Sequence, residues 1–568
     1  MKRILSILLV LLLLTGCGAP AAQPEATETT PTEAPASTPV VIPETPEIPF
    51  ESKFQKETLI TLSNEGVKSS GPNSLYVFSS DDIIYYEDRD TYESGNPYGE
   101  GTDADKHTAE EASQNIVVNI TAPGTYRVTG QLSNGQIRVD LGDDAYDDET
   151  AVVELILDNA DITCTVAPAI LFMNVYECDG NWSKDTARPD VDTSAAGANL
   201  ILEGTNTVTG SYVAKIFKDK DGQKKQWKQD GAIYSYMSMN VYGPGKLTLN
   251  AANEGLDTEL HLTINGGNIT ILSGNDGINT NEDNISVTTI NAGTLRIVAG
   301  LGEEGDGIDS NGYLVINGGT VISAAKPVSD AGLDSDKGSY VHGGIVLAMG
   351  SPMDWAESDS KQVTMNLQFS RQQNGALLIT TEDGTEVFSF DPSEDPVLAE
   401  YMRGYQGAVI STPAFSVGSS YYVYSEGTQM MYTSTDVMRG PGGFGGQMPG
   451  GKGQRPEGGE RPEGFGGNFP NGEMPEGFGG NFPNGEIPEG FGGNFPNGEM
   501  PEGFGGNFPN GEMPEGFEGF NGQQPPEGFE GGNRGDRQPG GEKPATEGRT
   551  SFYMQDKVNF FSGLTAAQ

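Results

Sequence analysis

A short step, Gly-apolar-Asp/Asn, recurs through the middle of the chain: Gly255-Leu256-Asp257, Gly277-Ile278-Asn279, Gly307-Ile308-Asp309 and Gly332-Leu333-Asp334. Asp230-Gly231-Ala232-Ile233 reads as a worn earlier copy. Further oxygen-bearing residues flank the steps, so Asn253, Asp257, Asn275, Asp276, Asn279, Asp306, Asp309, Asp330, Asp334 and Asp336 form one candidate ligand set. Such a set suits Ca²⁺, a hard cation that takes about 6–8 oxygen ligands at ~2.3–2.6 Å. Asp and Asn also favour turns by bonding to their own backbone. That accounts for one copy, but less well for an acid coupled repeatedly to both ends of the step. Asp219-Lys220-Asp221-Gly222 opens like an EF-hand loop yet lacks the third ligand and the distal Glu.

Two other chemistries are open to these residues. A β-eliminating lyase needs calcium against a uronate carboxylate and a basic side chain to take the α-proton. Lys337, after Asp334-Ser335-Asp336, is the candidate catalytic base, set against the commoner role of a surface lysine balancing its acidic neighbours. Sugar binding needs flat aromatic faces and ordering polar groups. A basic insertion supplies both, with Trp227, Lys224, Lys225 and Lys228 as candidate substrate-binding residues and a solvated loop as the alternative. Trp182 and Trp355 are further platforms or core residues. His107, His261 and His342 show no metal-ligand spacing.

A second signature shows how such residues are brought together. Ile264-Asn265-Gly266-Gly267, Ile290-Asn291-Ala292-Gly293, Ile316-Asn317-Gly318-Gly319 and Val341-His342-Gly343-Gly344 follow an earlier relative, Tyr242-Gly243-Pro244-Gly245. Their last glycines are 22, 26, 26 and 25 residues apart, and a short apolar stretch follows each. The two signatures run in phase, and strands this short cannot bury a face alone, so each coil must cover its neighbours. The spacing predicts an all-β solenoid, a parallel β-helix, with equivalent side chains of adjacent coils about 4.8 Å apart. A β-sandwich also has many short strands but does not require the period.

The ends of the chain read differently. Residues 1–16 form an export signal with Lys2 and Arg3 before an apolar stretch too short to span a bilayer. Leu14-Thr15-Gly16-Cys17 resembles the bacterial lipobox, which makes Cys17 the lipidation site and places the protein at the outer face of the bacterial cell membrane. Residues 17–50 read as a disordered tether, 51–115 as an N-terminal cap, 116–358 as the solenoid and 359–437 as a C-terminal β-rich cap. Residues 438–550 carry 13-residue Gly/Pro-rich repeats for which disorder is expected, and 551–568 regain strand character and are expected to pair with the C-terminal strands. Cys164 and Cys178 are left as either a disulfide or two buried thiols. With 80 acidic against 33 basic residues and a net charge of -47, general attraction to nucleic acid or anionic lipid is excluded, and divalent cations are the natural counter-partners.

Residues 121–130, Thr121-Ala122-Pro123-Gly124-Thr125-Tyr126-Arg127-Val128-Thr129-Gly130, then Gln136-Ile137-Arg138-Val139-Asp140 and the two repeats, resemble the bacterial carbohydrate-binding family with a polysaccharide-lyase-like β-helix. The resemblance covers roughly 116–435. It implies a right-handed parallel β-helix with bound calcium that recognises cellulose or pectic polyuronate. Members often carry Lys after the Gly-Ile step, where this chain has Asn279 and Asp309. The expected function is calcium-supported polysaccharide binding at the cell surface; a calcium-dependent pectate-type lyase and a structural adhesin are the alternatives.

Overall fold

The computed structural model describes residues 47–86, 104–180, 183–220, 223–302, 304–352, 354–401, 404–435 and 548–567. The expected signal segment, Cys17, most of the tether and nearly all of the 13-residue repeats lie outside them. The described part is almost wholly β; the α-helices among the described residues, Ala109–Ala112 and Leu398–Tyr401, are single turns.

Strands of successive coils pair in parallel and in register along three ladders. The first runs through Gly135–Asp140, Ile170–Asn174, Gly231–Ser235, Glu254–Thr258, Ile278–Thr280, Ile308–Ser310 and Asp334–Ser335. The second runs through Ala198–Glu203, Met239–Tyr242, Leu262–Ile264, Val287–Ile290, Tyr313–Ile316 and Gly338–Val341. The third runs through Thr205–Gly210, Lys246–Ala251, Asn268–Ser273, Thr294–Val298, Thr320–Ala324 and Ile345–Gly350. Alternation turns one side chain of each pair inward, so Leu256, Ile278 and Ile308 stack fully buried against Ile264, Ile290, Ile316, Ile271 and Ile297. This continuous apolar column is what holds strands of two to six residues in place.

The two glycine signatures have different physical causes. Between the second and third ladders the chain turns with positive φ, 90° at Gly293 and 80° at Gly319, and a side chain at Gly293 would stand 2.8 Å from the Gly266 carbonyl. In the first ladder the need is space rather than φ: a Cβ on Gly277 would lie 2.2 Å from the Ile297 side chain. There the glycine lets one face of the coil close against another.

Open strand edges invite pairing with other chains, and further strands cover the start of the stack and the last strand of the third ladder. Glu57–Leu62 joins Gly124–Leu132 in parallel, and Val77–Ser80 lies antiparallel on Ile116–Ile120. At the other end, Tyr405–Ser411 pairs antiparallel with Ile345–Gly350 and also with Thr364–Gln373. This C-terminal unit does more than cap. Its Met365, Leu367, Phe369 and Ile410 form a second core with Val298, Ile322 and Leu347, on the outer face of the third ladder. Arg296 and Asp395 bridge the two parts at 3.0 Å. Val558–Ala566 returns to lie parallel to Thr364–Gln373, and Phe552 and Phe561 are buried in this second core. Cys164 and Cys178 are free thiols, which resolves the two alternatives the sequence left.

Candidate metal centre

The first ladder carries the acids. Asp257, Asn279, Asp309 and Asp334 are direct cross-coil partners, a single row extending three coil steps, about 14 Å. A second row sits on the near side of the glycines, where Asp306 N donates to Asp276 Oδ1 at 2.6 Å and Ala331 N donates to Asp306 Oδ1 at 2.5 Å. Those carboxylates therefore bind the backbone of the next coil. Asn253 and Asn275 are stacked neighbours, Asn275 N donating to Asn253 O at 3.0 Å. Asp330 Oδ2 is buried without a hydrogen-bond partner, and Asp336 is exposed beyond the row.

The tightest constellation includes two acids outside the sequence-derived set. Oxygens of Asp230, Glu254 and Asp257 lie within 4.8 Å of one another. Glu254 and Asp257 are 4 % and 0 % exposed, and Glu254 Oε2, Asp257 Oδ2 and Asn279 Oδ1 are buried without a hydrogen-bond partner. A signal for Glu254 was present, because it precedes Gly255 as Asp276 precedes Gly277 and Asp306 precedes Gly307. Asp230 was harder to place, since Gly231 rather than Asp230 pairs with Glu254, putting Asp230 one position off the repeat.

Burial dominates the electrostatics. Lost hydration, then neighbouring carboxylates, pushes the carboxyls of Asp257, Asp276 and Asp309 well above the usual range. Burial and Asp334 move Asp306 up to about 7, and the same two causes move Asp354 up to about 7. One cation enters this set: Lys228 Nζ lies 2.7 Å from Asp230 Oδ2 and donates to Asn281 Oδ1 at 3.1 Å. Burial opposes its charge, but Asp230, Glu254, Glu259 and Asp257 outweigh that and hold the ammonium well above its ordinary value. Lys228 thus serves the acidic row, whereas the side chains of Trp227, Lys224 and Lys225 lie outside those described.

The donor set fits a hard divalent cation. It is all oxygen, several of its atoms are buried without donors, and its surplus charge has a single lysine against it among the described residues. Asp230, Glu254, Asp257 and Asn279 are the residues that would hold such an ion nearest Lys228, and Asp306, Asp309 and Asp334 those at the far end. Lys337 is exposed after Asp334–Ser335, three coil steps from the Asp230 cluster. Trp355 packs at the edge of the core, edge-on to Phe560 with ring centroids 5.8 Å apart, and Trp182 lies outside the described residues.

Comparison with known proteins places the chain. A curated carbohydrate-binding domain-containing protein of Acetivibrio thermocellus is 31% identical over 155 residues, 27% of this chain and 44% of that protein, so the match spans less than half of the relative's length. A solved polysaccharide lyase-like protein from C. thermocellum, studied as a gadolinium derivative, aligns over 51% of this chain and 92% of its own at 23% identity and a TM-score of 0.30. The family model described as carbohydrate-binding domain-containing protein matches residues 114–421, more than half of the sequence and all three ladders; the chain belongs to that family.

Proposed function

We propose that this protein is a lipid-anchored, cell-surface binder of extracellular plant-type or acidic polysaccharide, such as cellulose or a pectic polyuronate, whose binding body is supported by Ca²⁺. The observation that carries the calcium part is the buried oxygen row around Asp257, with Glu254 Oε2, Asp257 Oδ2 and Asn279 Oδ1 lacking donors. Membership of a carbohydrate-binding family supports the glycan part. The coils are taken to wind as a right-handed parallel β-helix, because crossovers between parallel strands are right-handed in about 98% of cases. Bound calcium would neutralise the stacked carboxylates and fix the register of the coils. The carboxylates and Asn279 would hold the ion, and the outer faces of the coils would meet the sugar. Lipidation at Cys17 would keep the body outside the membrane.

A glycan array probed with the full-length protein in calcium and in EDTA tests this reading. Polysaccharide binding that weakens on chelation is expected. No binding to any polysaccharide in either condition defeats it, and release of unsaturated, UV-absorbing sugar would move the assignment to the lyase alternative.

A further inference from the structure

The corner that carries the paired glycines also carries a line of asparagines on a face away from the acids. Asn291 Nδ2 donates to Asn265 Oδ1 at 2.8 Å, and Asn317 Nδ2 donates to Asn291 Oδ1 at 2.9 Å. Asn265 in turn meets the Tyr242 hydroxyl, and His342 takes the fourth place, its N–H donating to Ile316 O at 2.7 Å. Beside this line runs a second row, Thr263, Thr289 and Val315, paired in register. The two rows floor a groove of ≈ 470 Å³ along the stacking axis, with Tyr242 and His342 in its lining and walls from Ile48 and residues 189–194. That volume falls within the roughly 300–1,000 Å³ of small-molecule sites.

Asn265 is buried beneath Ile48, but the amides of the half-buried Asn291 and the exposed Asn317 have groups to spare. An asparagine carries two N–H donors and two acceptor lone pairs, and the ladder uses about one of each per residue. The remaining donor and acceptor face groups that can also both donate and accept, which is the property of a sugar hydroxyl. The repeat of about 4.8 Å per coil is close to the advance of one residue in an extended pyranose chain, so successive coils can offer the same amide to successive sugars. The floor is uncharged, while the lining carries Asp190 and Asp192 against the single cation Lys361 beside His342, a surplus of negative charge that disfavours a polyanion. Burial and Lys361 hold His342 below its ordinary value, so it meets a ligand neutral at pH 7.

We propose that this groove binds a neutral, extended β-1,4-linked polysaccharide laid along the solenoid axis, successive sugar residues meeting Asn291, Asn317 and His342. The proposal rests on the carbohydrate-binding reading above and adds the site and, between the two ligand classes named there, the neutral one. The acidic ladder lies on another face, so binding here does not need calcium at the sugar.

Calorimetry of the full-length protein with cellohexaose and mannohexaose, and with hexagalacturonate as the acidic probe, each in calcium and in EDTA, tests it. A neutral hexasaccharide is expected to bind, and to lose affinity about tenfold or more, about 1.4 kcal/mol, in Thr289→Arg, which fills the half-buried floor. Asn291→Asp, which cannot donate to Asn265, is expected to act in the same direction. Neutral binding that survives both groove variants overturns the proposal, as does binding of hexagalacturonate alone, which would leave the carbohydrate-binding reading standing. Failure of all three probes removes both.

Discussion

Asp309 offers a substitution whose effect should change sign with calcium. It pairs with Asp334 in the next coil and has Asn279 on its other side. At a spacing of about 4.8 Å and an effective dielectric of about 20, two such charges repel by about 3 kcal/mol. Its carboxyl is held well above the usual range by burial first, then by Asp334 and Asp306. A raised carboxyl favours the folded state below its unfolded value and loses that advantage as pH rises through the folded value. Asp306, moved from 3.8 to about 7, fixes the window, and that shift costs the metal-free fold about 4 kcal/mol once the group is ionised. In EDTA, then, stability should fall between about pH 4 and pH 7, and Asp309→Asn should be more stable than the parent at the upper end. The gain, about 3 kcal/mol at most, corresponds to a melting temperature about 4 °C higher in a fold of this size. Calcium at about a thousand times its dissociation constant adds roughly 4 kcal/mol to the parent, so the ordering should invert. Thermal unfolding followed by circular dichroism in EDTA and in calcium reads both. If Asp309→Asn is destabilised equally in the two buffers, Asp309 is an ordinary hydrogen-bonding turn residue and the reasoning fails.

Other consequences are simpler. Ile308 is wholly buried in the inner column, so Ile308→Ala should cost about 2–5 kcal/mol in a denaturant titration; a change below about 1 kcal/mol would mean the column is not continuous there. Gly319→Ala and Gly384→Ala both force an alanine to positive φ, but a Cβ at Gly319 lies 2.9 Å from Gly293 O while Gly384 has open space. The first should therefore destabilise clearly more than the roughly 1 kcal/mol expected of the second, and equal losses would refute the stacked corner. Cys164 is buried and burial raises its thiol to about 11, so alkylation mapped by mass spectrometry at neutral pH should miss it until denaturant is added.

Much of the site was legible in the sequence because a solenoid converts spacing along the chain into adjacency in space. The Gly-apolar-Asp/Asn step recurs once per coil, so Asp257, Asn279, Asp309 and Asp334 had to fall near one line as soon as the coils stacked. The Asn-Gly-Gly corner follows from the same period. Its glycines are needed for positive φ and close contact, which any L side chain would spoil. What period alone does not carry is the identity of neighbours one position off the repeat. Asp230 joins Glu254 and Asp257 only because the preceding coil enters the ladder with Gly231 opposite Glu254. Lys228 looked like part of a basic docking loop, and only burial among carboxylates shows that its charge is consumed there.

The sequence by itself determined that the chain is β-rich, repeated and acidic at fixed intervals, since strand alternation, glycine corners and period are local properties of residue order. The tertiary structure decided which oxygens are buried without donors, that the C-terminal strands pack on the flank of the third ladder as well as closing its last edge, and that the asparagine corners line a groove. Those outcomes depend on packing between segments hundreds of residues apart, such as Val558–Ala566 on Thr364–Gln373. No local pattern encodes a distance between such segments; it is set by which apolar faces are left to be covered once the coils have stacked.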